Sequence, residues 1–261
     1  MSNPLVSVII PAHNCEQFIR GSIHSALNQT VTNLEVLVID DASTDNSYAI
    51  LSQIATQDSR VLLYQNTTNM GVANTRNRGI DLAQGQYVAF LDADDLWKPQ
   101  KLEKQLVLME STGCDFCYTA YSFIDGNGVA FGKPYWVPAF VTFKQLIQEN
   151  IIGCSTAICK AKLLKQYKMH PEYAHEDYVL WLELLQNGYT GCGVQETLMQ
   201  YRVLKNSRSG DKKKAAVNRW RIYRNFLKMD LRAASIAFLS YAIRGIRKYY
   251  SPDCAKTPYE E

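Results

Sequence analysis

The fold is decided first by the stretch Leu5-Val-Ser-Val-Ile-Ile10, an apolar and largely β-branched run that Pro11 ends. Such a run predicts a buried β-strand, and its lack of polar alternation is typical of a strand covered on both faces. The polar segment Asn14 to Gln17 has the spacing of a capping box and precedes an apolar pattern at helical spacing from Phe18 to Leu27. The chain therefore opens with a strand followed by an amphipathic helix.

This strand-and-helix unit repeats along the chain. We predict strands at 34–39, 61–65, 87–91 and 115–123, and helices at 48–56, 71–84, 101–109 and 177–186. The aromatic stretch 133–143 contains two prolines and is predicted to be a loop. Alternating strands and helices favour an α/β fold with a Rossmann-like, mainly parallel sheet.

Composition narrows the class of protein. The chain has 261 residues, of which 47% are hydrophobic and 20% charged, so a disordered or collagen-like chain is excluded. Residues 1–10 have no basic segment ahead of their apolar run, unlike a signal peptide. The longest uncharged apolar run of the second half is 233–243, too short for a membrane-spanning helix. We therefore expect a cytoplasmic protein.

The seven cysteines are odd in number and scattered, which argues against a secreted disulfide framework. Cys114 and Cys117 have the spacing of half a zinc site, but Cys154 and Cys159 have the wrong spacing to complete it. We expect buried free thiols.

The net charge of +3 is unevenly distributed. Residues 202–250 contain 14 lysines and arginines against two aspartates, a local charge of +12, so the rest of the chain carries −9. Two amphipathic helices are predicted here, at 212–228 and 231–248. A basic amphipathic pair suits an anionic membrane surface, although its apolar faces could equally pack on the body. No nucleic-acid-binding module accompanies the charge, so we expect no nucleic acid partner.

Polar loops follow the first four predicted strands. In a parallel sheet these loops meet at the carboxyl edge, where ligands bind. None has the glycine pattern of a dinucleotide fingerprint or a P-loop, which disfavours an NAD oxidoreductase or an NTPase. After the fourth strand come Asp92 and Asp94, whose hard oxygens suit Mg²⁺ or Mn²⁺ and a diphosphate. The alternative is an acidic, helix-capping turn.

A resemblance adds to this interpretation. It is carried by Val8-Ile-Ile-Pro-Ala-His-Asn14, Ile39-Asp-Asp-Ala-Ser-Thr-Asp45, Asn69-Met-Gly71, Thr75-Arg-Asn77, Phe90-Leu-Asp-Ala-Asp-Asp95 and Glu176-Asp177. In type and order these segments resemble the family 2 glycosyltransferases of the glycosyltransferase A fold, of the bacterial surface-polysaccharide type, over about residues 5–202. The resemblance implies an inverting transferase of the hexosyl or N-acetylhexosaminyl type that uses a nucleotide-diphospho-sugar, commonly a UDP-sugar, with Mn²⁺ or Mg²⁺. It also implies a saccharide acceptor, lipid-linked, at the inner face of the cell membrane.

The same resemblance assigns roles. Asp177 would be the general base, Asp41 would contact the base of the nucleotide, and Asp92 and Asp94 would hold the metal. The expected nucleotide-sugar-binding residues are Pro11, Ala12, Asn14, Asp41, Asn69, Arg76, Asp92 and Ala93. Residues 1–205 would form the catalytic domain, which binds nucleotide-sugar and acceptor, and residues 206–261 a basic amphipathic helical extension.

Asp177 also has a physical rationale. Inversion needs a base that takes the proton of an attacking acceptor hydroxyl. Asp177 precedes an apolar helix, so it could instead be an ordinary N-cap, and a helix N-terminus would make its carboxylate a weaker base. Trp181, one turn further on, could support a sugar ring or belong to the core.

One position departs from the family pattern. Many relatives carry a metal-ligating histidine two residues after a Tyr-Arg pair, whereas Tyr201-Arg202-Val203 is followed here by Leu204. Phosphates, Asp94 and water would then hold the ion, or Lys205 or Arg208 would supply part of the charge. A rival of another class is a sugar-nucleotide-binding protein of the same fold without turnover.

Overall fold

The computed structural model describes residues 3–204 and 212–250. Ten strands lie in this part of the chain. They are β1 (Val6–Ala12), β2 (Leu34–Asp40), β3 (Val61–Gln65), β4 (Tyr87–Phe90), β5 (Leu96–Trp97), β6 (Phe116–Ile124), β7 (Ala130–Tyr135), β8 (Phe140–Val141), β9 (Ile158–Lys160) and β10 (Gly191–Arg202).

Nine α-helices lie in the same described residues. They are α1 (Ile19–Leu27), α2 (Ser47–Gln57), α3 (Val72–Leu82), α4 (Lys101–Thr112), α5 (Phe143–Gln148), α6 (Ala161–Gln166), α7 (Glu176–Gln186), α8 (Lys212–Arg221) and α9 (Leu231–Tyr250). A 3₁₀ turn covers Cys154–Thr156, and a π-helical turn, Ile222–Phe226, follows α8.

The strands form one sheet in the order β3-β2-β1-β4-β9-β6-β10-β5, with β7 paired to β6 and β8 to β10. Strands β3, β2, β1 and β4 are mutually parallel. The short β9 is antiparallel to both β4 and β6, so β6 and its parallel neighbour β10 run in the same direction as β4. The expected mainly parallel sheet is confirmed, and the carboxyl ends of six strands meet at one edge.

Alternate residues of β1 enter two different cores, because neighbouring side chains of a strand point to opposite faces. Val8 and Ile10 pack with Leu51 on one face, whereas Ile9 packs with Phe90 and other residues on the opposite face. Burial on both faces explains why these strands read as continuous apolar runs. Gly113, with φ of 72°, ends α4 in the left-handed region, which glycine adopts without a steric cost.

Two local predictions were wrong. Residues 133–143 are not a plain loop, because β7 adds an antiparallel edge strand to β6 and β8 pairs with β10. Pro134 is tolerated there because an edge strand need not donate every backbone hydrogen bond. Asn14 does not form a capping box: α1 starts at Ile19, and its N-cap, Phe18, has no side-chain cap hydrogen bond.

The C-terminal helices pack on the body. The guanidinium of Arg219 lies 3.7 Å from the ring centre of Tyr178 in α7. The hydroxyl of Tyr223 donates to the carbonyl of Ile147, 2.6 Å away. Even so, α9 leaves Ile236, Leu239 and other apolar side chains exposed, so the packing does not use all of its apolar surface. Among the described residues, no helix combines the length and hydropathy that a membrane crossing requires.

Two of the cysteines were also mispredicted. Cys114 and Cys192 are joined by a disulfide, with Cα atoms 6.2 Å apart. Cys15, Cys117, Cys154 and Cys159 are free thiols. Cys254 lies outside the described residues.

Candidate active site

The acidic turn after β4, residues 92–95, is held from several sides. The N–H of Asp95 donates to the carbonyl of Asp92 at 3.2 Å. Arg202, at the end of β10, donates its backbone N–H to Asp95 Oδ1 at 3.0 Å and its Nε–H to the Asp94 carbonyl at 2.9 Å. Ser22 in α1 donates its hydroxyl to the Ala93 carbonyl at 2.7 Å. The turn is therefore a fixed feature of the carboxyl edge of the sheet.

Its carboxyl groups differ in exposure. Asp95 is buried and accepts internal hydrogen bonds, whereas the side chain of Asp92 is 32% exposed and Asp94 is partly exposed. Burial, followed by the charge of Asp92, raises the pKa of Asp94 to about 6. Burial, followed by Asp94 and Asp92, also raises the pKa of Asp95. Like charges are crowded here, and a bound cation would relieve their repulsion.

The donor set of this turn fits Mn²⁺ or Mg²⁺. Asp92 and Asp94 are partly exposed and carry hard carboxylate oxygens, and both ions commonly keep waters and take the remaining ligands from substrate phosphates. Within residues 3–204 and 212–250, no group of three or more His, Cys, Asp or Glu side chains is arranged to hold a metal. Diphosphate and water would therefore have to complete the coordination.

Arg76 connects this turn to the candidate base. Its guanidinium pairs with Asp92 through one terminal nitrogen and with Glu176 Oε1, 2.7 Å away, through the other. The arginine side chain is only 5% exposed. Although α3 and α7 are distant in sequence, this shared cation brings the first turn of α7 beside the acidic turn. Arg76 is thus held by two internal ion pairs, and its expected contact with the nucleotide-sugar stays a prediction.

Asp177 lies in the first turn of α7. His175 occupies the N-cap position, so the interpretation of Asp177 as an N-cap was wrong. Burial, followed by the charge of Glu176, raises the pKa of Asp177 to about 6, while Arg76 opposes the shift. The expectation of a weaker base was therefore also wrong, because desolvation and a like charge outweigh the helix N-terminus. The carboxylate is partly exposed, ionised near neutral pH and able to accept a proton.

Asp41 directly follows β2 at the same carboxyl edge, and we call the part of this edge from Asp41 to Asp94 the crevice. The buried carboxylate of Asp41 accepts three hydrogen bonds: Oδ1 from Asn66 Nδ2 at 2.7 Å and from the Met70 N–H at 2.8 Å, and Oδ2 from the Gly71 N–H at 2.9 Å. Gly71 has φ of 81° and precedes α3. This carboxylate fixes the loop that leads into the helix carrying Arg76.

His13 links three loops at this end. Its Nδ1 lies 2.8 Å from the carbonyl of Asp41 and donates to it, because a carbonyl oxygen can only accept. The amide nitrogens of Asn69 and Asn14 lie 3.1 and 3.3 Å from Nε2. Asn14 has φ of 48° and accepts the Thr44 N–H at 2.8 Å through its side-chain oxygen. This bond from the second loop is why Asn14 does not cap a helix.

Comparison with known proteins now decides the class. The model of the family described as glycosyl transferase family 2 matches residues 7–168. The chain belongs to this family. A putative teichuronic acid biosynthesis glycosyltransferase, TuaG of Bacillus subtilis, is 38% identical over 94% of this chain and 97% of its own length. The UDP-Glc:alpha-D-GlcNAc-diphosphoundecaprenol beta-1,3-glucosyltransferase WfgD of Escherichia coli is 35% identical over 95% and 96%.

Solved structures agree on the fold of this family 2 glycosyltransferase. Staphylococcus aureus TarS in complex with UDP superposes with a TM-score of 0.71 at 21% identity, over 94% of this chain and 72% of TarS. The mannosyltransferase PcManGT of Pyrobaculum calidifontis, in complex with GDP-Man and Mn²⁺, gives 0.70 at 18% identity, over 96% and 76%. The glycosyltransferase A fold with helices at its C-terminus is confirmed.

The glycosyltransferase brings its sequence-predicted site residues to one edge of the sheet. They are Pro11, Ala12, Asn14, Asp41, Asn69, Arg76, Asp92, Ala93, Asp94 and Asp177. Their individual roles stay predictions. Trp181, by contrast, is fully buried and stacks on Phe116 with ring centres 5.6 Å apart, so it belongs to the core and does not support a sugar.

Sequence reasoning gave no role to three residues of the site. Glu176 stands in a quoted segment, but its partner Arg76 is a hundred positions away and gives no local signal. In the sequence, Arg202 is notable only as part of the Tyr-Arg pair that precedes the missing histidine. Ser155 accepts the Asp92 N–H at 2.9 Å, and the surrounding sequence has no pattern that would reveal this.

Proposed function

We propose that this glycosyltransferase is an inverting enzyme that moves a hexosyl or N-acetylhexosaminyl group from a UDP-sugar to a hydroxyl of a lipid-linked glycan in bacterial surface-polysaccharide synthesis. The observation that carries the proposal is the Arg76 bridge, which sets the candidate base beside the candidate diphosphate site. The acceptor class is supported by WfgD, whose name gives a diphosphoundecaprenol-linked sugar, and by TuaG, named for teichuronic acid.

The donor would lie along the crevice from Asp41 to Asp94. Asp41 and the loops tied by His13, with Pro11, Ala12, Asn14 and Asn69, would hold the base and ribose. Asp92 and Asp94 would hold Mn²⁺ or Mg²⁺, which supplies positive charge for the leaving diphosphate. UDP is supported by the bound nucleotide of TarS and by the UDP-Glc in the name of WfgD.

Asp177 would act on the acceptor. Its carboxylate takes the proton of the acceptor hydroxyl while that oxygen forms a bond to the anomeric carbon. On the opposite face, the bond from this carbon to the diphosphate oxygen breaks, and the nucleoside diphosphate leaves with the electron pair. One carboxylate suffices, since the attack inverts the configuration in a single step.

The Asn replacement of Asp177 tests this assignment. We expect Asp177→Asn to reduce transfer about 10²- to 10⁴-fold, the usual contribution of a general base, while UDP binding persists. Glu183→Gln, a change in the same helix at a residue that pairs with His170, is the control and should retain activity. Transfer that survives in Asp177→Asn contradicts the assignment. A wild-type protein that binds UDP-sugars but never transfers sugar favours the rival binding protein.

The C-terminal helices would meet the membrane that carries the acceptor. The apolar side chains that α9 leaves exposed include Ile236, Leu239 and Ile243, spaced so that they share one side of the helix. With the basic residues of 206–261, this side suits an anionic bilayer. The division at residue 205 and a cytoplasmic, peripheral location are part of this proposal.

Vesicle binding tests this part. Co-sedimentation with anionic phosphatidylglycerol vesicles should fall in the triple variant Ile236→Ser, Leu239→Ser, Ile243→Ser. Vesicles of zwitterionic lipid should bind the wild type less. Equal binding of the wild type and the variant to anionic vesicles contradicts a membrane role for this side of α9.

A further inference from the structure

The 3₁₀ turn Cys154–Thr156 lies directly against the acidic turn. Its central residue, Ser155, is 1% exposed and lies more than sixty positions after Asp92 in sequence. The neighbouring Thr156, also 1% exposed, donates its hydroxyl to the Gly153 carbonyl at 2.6 Å, within the same turn. Two buried hydroxyls thus lie side by side in the chain, and only that of Ser155 is directed at the candidate donor site.

Ser155 contacts both ends of the acidic turn. Its Oγ accepts the backbone N–H of Asp92 at 2.9 Å. Its side chain also lies beside the carboxyl group of Asp95. One buried hydroxyl therefore lies between the main chain at the start of the turn and the side chain at its end.

The same serine is itself anchored. Its carbonyl accepts the indole N–H of Trp97 at 2.7 Å, and Trp97 is 5% exposed. On the far side, the main chain of Arg202 binds the Asp95 carboxylate at 3.0 Å. Asp95 is thus held in a buried position, which leaves Asp92 and Asp94 as the partly exposed carboxylates of the turn.

We propose that Ser155 is a positioning residue that holds Asp92 and Asp94 in the geometry that binds the donor's diphosphate with its divalent cation. This inference rests on the proposed function, because it needs a diphosphate site at the acidic turn. Second-layer partners of this kind commonly change metal affinity about 10- to 100-fold when removed. Ser155 touches no substrate atom and acts only through its hydrogen bonds.

The test compares Ser155→Ala with the matched control Thr156→Val. Each variant removes one buried hydroxyl of the same turn, so both are expected to lower the unfolding temperature. Calorimetric titration with Mn²⁺ and a nucleoside diphosphate measures the site itself, using whichever of UDP, GDP and dTDP binds the wild type most tightly. We expect about 10-fold weaker binding for Ser155→Ala and a value within twofold of the wild type for Thr156→Val.

The outcomes separate the two claims. If the wild type binds none of these nucleotides with Mn²⁺, the donor site is wrong and the role of Ser155 is overturned with it. Another outcome is that the wild type binds the nucleotide while Ser155→Ala binds it equally well or loses no more affinity than Thr156→Val. In that case only the role of Ser155 is overturned. If Ser155→Ala does not fold, Ser155→Cys, whose thiol is a weak acceptor, replaces it and should show a loss in the same direction.

Discussion

At one end of the crevice, Asp41 accepts three hydrogen bonds and is buried by the loop it organises. At the other end, Asp177 lies beside Glu176 and is partly desolvated, and its pKa is raised to about 6. We call these the nucleotide end and the catalytic end. The nucleotide end is stabilised by its own bonds and suits recognition, whereas the catalytic end retains a carboxylate that gains from taking up a proton. Two aspartates predicted for one site thus have different surroundings, because Asp41 is held by three hydrogen bonds whereas Asp177 is crowded by a like charge.

Replacing Arg76, which joins the acidic turn to the catalytic end, should have the largest effect on stability. Arg76→Met leaves Asp92 and Glu176 without their shared cation, and loss of one member of a buried ion pair costs about 3–5 kcal/mol. Urea unfolding measures this. Arg78→Met is the control on the same helix. It loses an exposed hydrogen bond to the Gln65 carbonyl and a part-buried one to Asn66, and should cost less. An equal loss of unfolding free energy in both variants would show that the two ion pairs of Arg76 stabilise the protein no more than the hydrogen bonds of Arg78 do.

At the nucleotide end, Asp41→Asn should impair both fold and ligand binding. The amide offers one acceptor oxygen in place of two, so at least one of the three donors is left unpaired, at a cost of about 1–3 kcal/mol. UDP affinity should fall because the loop to Gly71 loosens. Thermal unfolding and UDP titration measure the two effects. Normal stability with weakened binding would instead mean that Asp41 acts only on the ligand.

At the catalytic end, kcat/KM for transfer should depend on pH through Asp177. The carboxylate must be ionised to accept a proton, and its pKa is raised to about 6. The rate should therefore be level above this pH and fall about tenfold per pH unit below it. A profile measured at saturating Mn²⁺ checks this, and an unchanged rate down to pH 5 would contradict it. Because Arg76 lowers the pKa of Asp177, any folded Arg76→Met protein should show the profile displaced to higher pH.

The smallest effect is on the thermal stability of Asp177→Asn. A raised carboxyl pKa means that the ionised form destabilises the folded state as pH rises through 6, so a neutral amide should raise the unfolding temperature by a few degrees at pH 7.5. The gain should shrink as the pH falls below 6 and disappear below the ordinary carboxyl pKa of 3.8, where Asp177 is protonated in both the folded and the unfolded protein. A lower unfolding temperature at pH 7.5 would mean that the ionised Asp177, like Asp41, is stabilised by its contacts in the folded protein.

Much of this arrangement was predictable from the sequence. The apolar runs that form β1 to β4 fix the parallel sheet, and the parallel sheet places the loops after Pro11, Asp40 and Phe90 at one edge. The strand β10 was not predicted, because Gln195 and Glu196 interrupt it where its register with β6 shifts. The edge strand β7 was missed because Pro134 lies within it.

The electrostatics of the site could not be predicted in the same way. The raised pKa of Asp177 depends on burial and on Glu176, and the ion pairs of Arg76 join residues that are far apart in the chain. The contact of Ser155 with Asp92 likewise joins residues separated by six helices and strands. Such contacts depend on tertiary packing and leave no periodic pattern in the sequence.

The stacking of Arg219 on Tyr178 also bears on truncation of the protein. Tyr178 follows Asp177 directly, and its other bonds run to the carbonyls of Leu146 and Ile147. A chain cut after residue 205 would uncover this ring and remove the aromatic and cationic groups that press against it. The C-terminal helices thus act as a brace for the helix that carries Asp177, and a shortened enzyme should not be treated as the same catalyst without its tail.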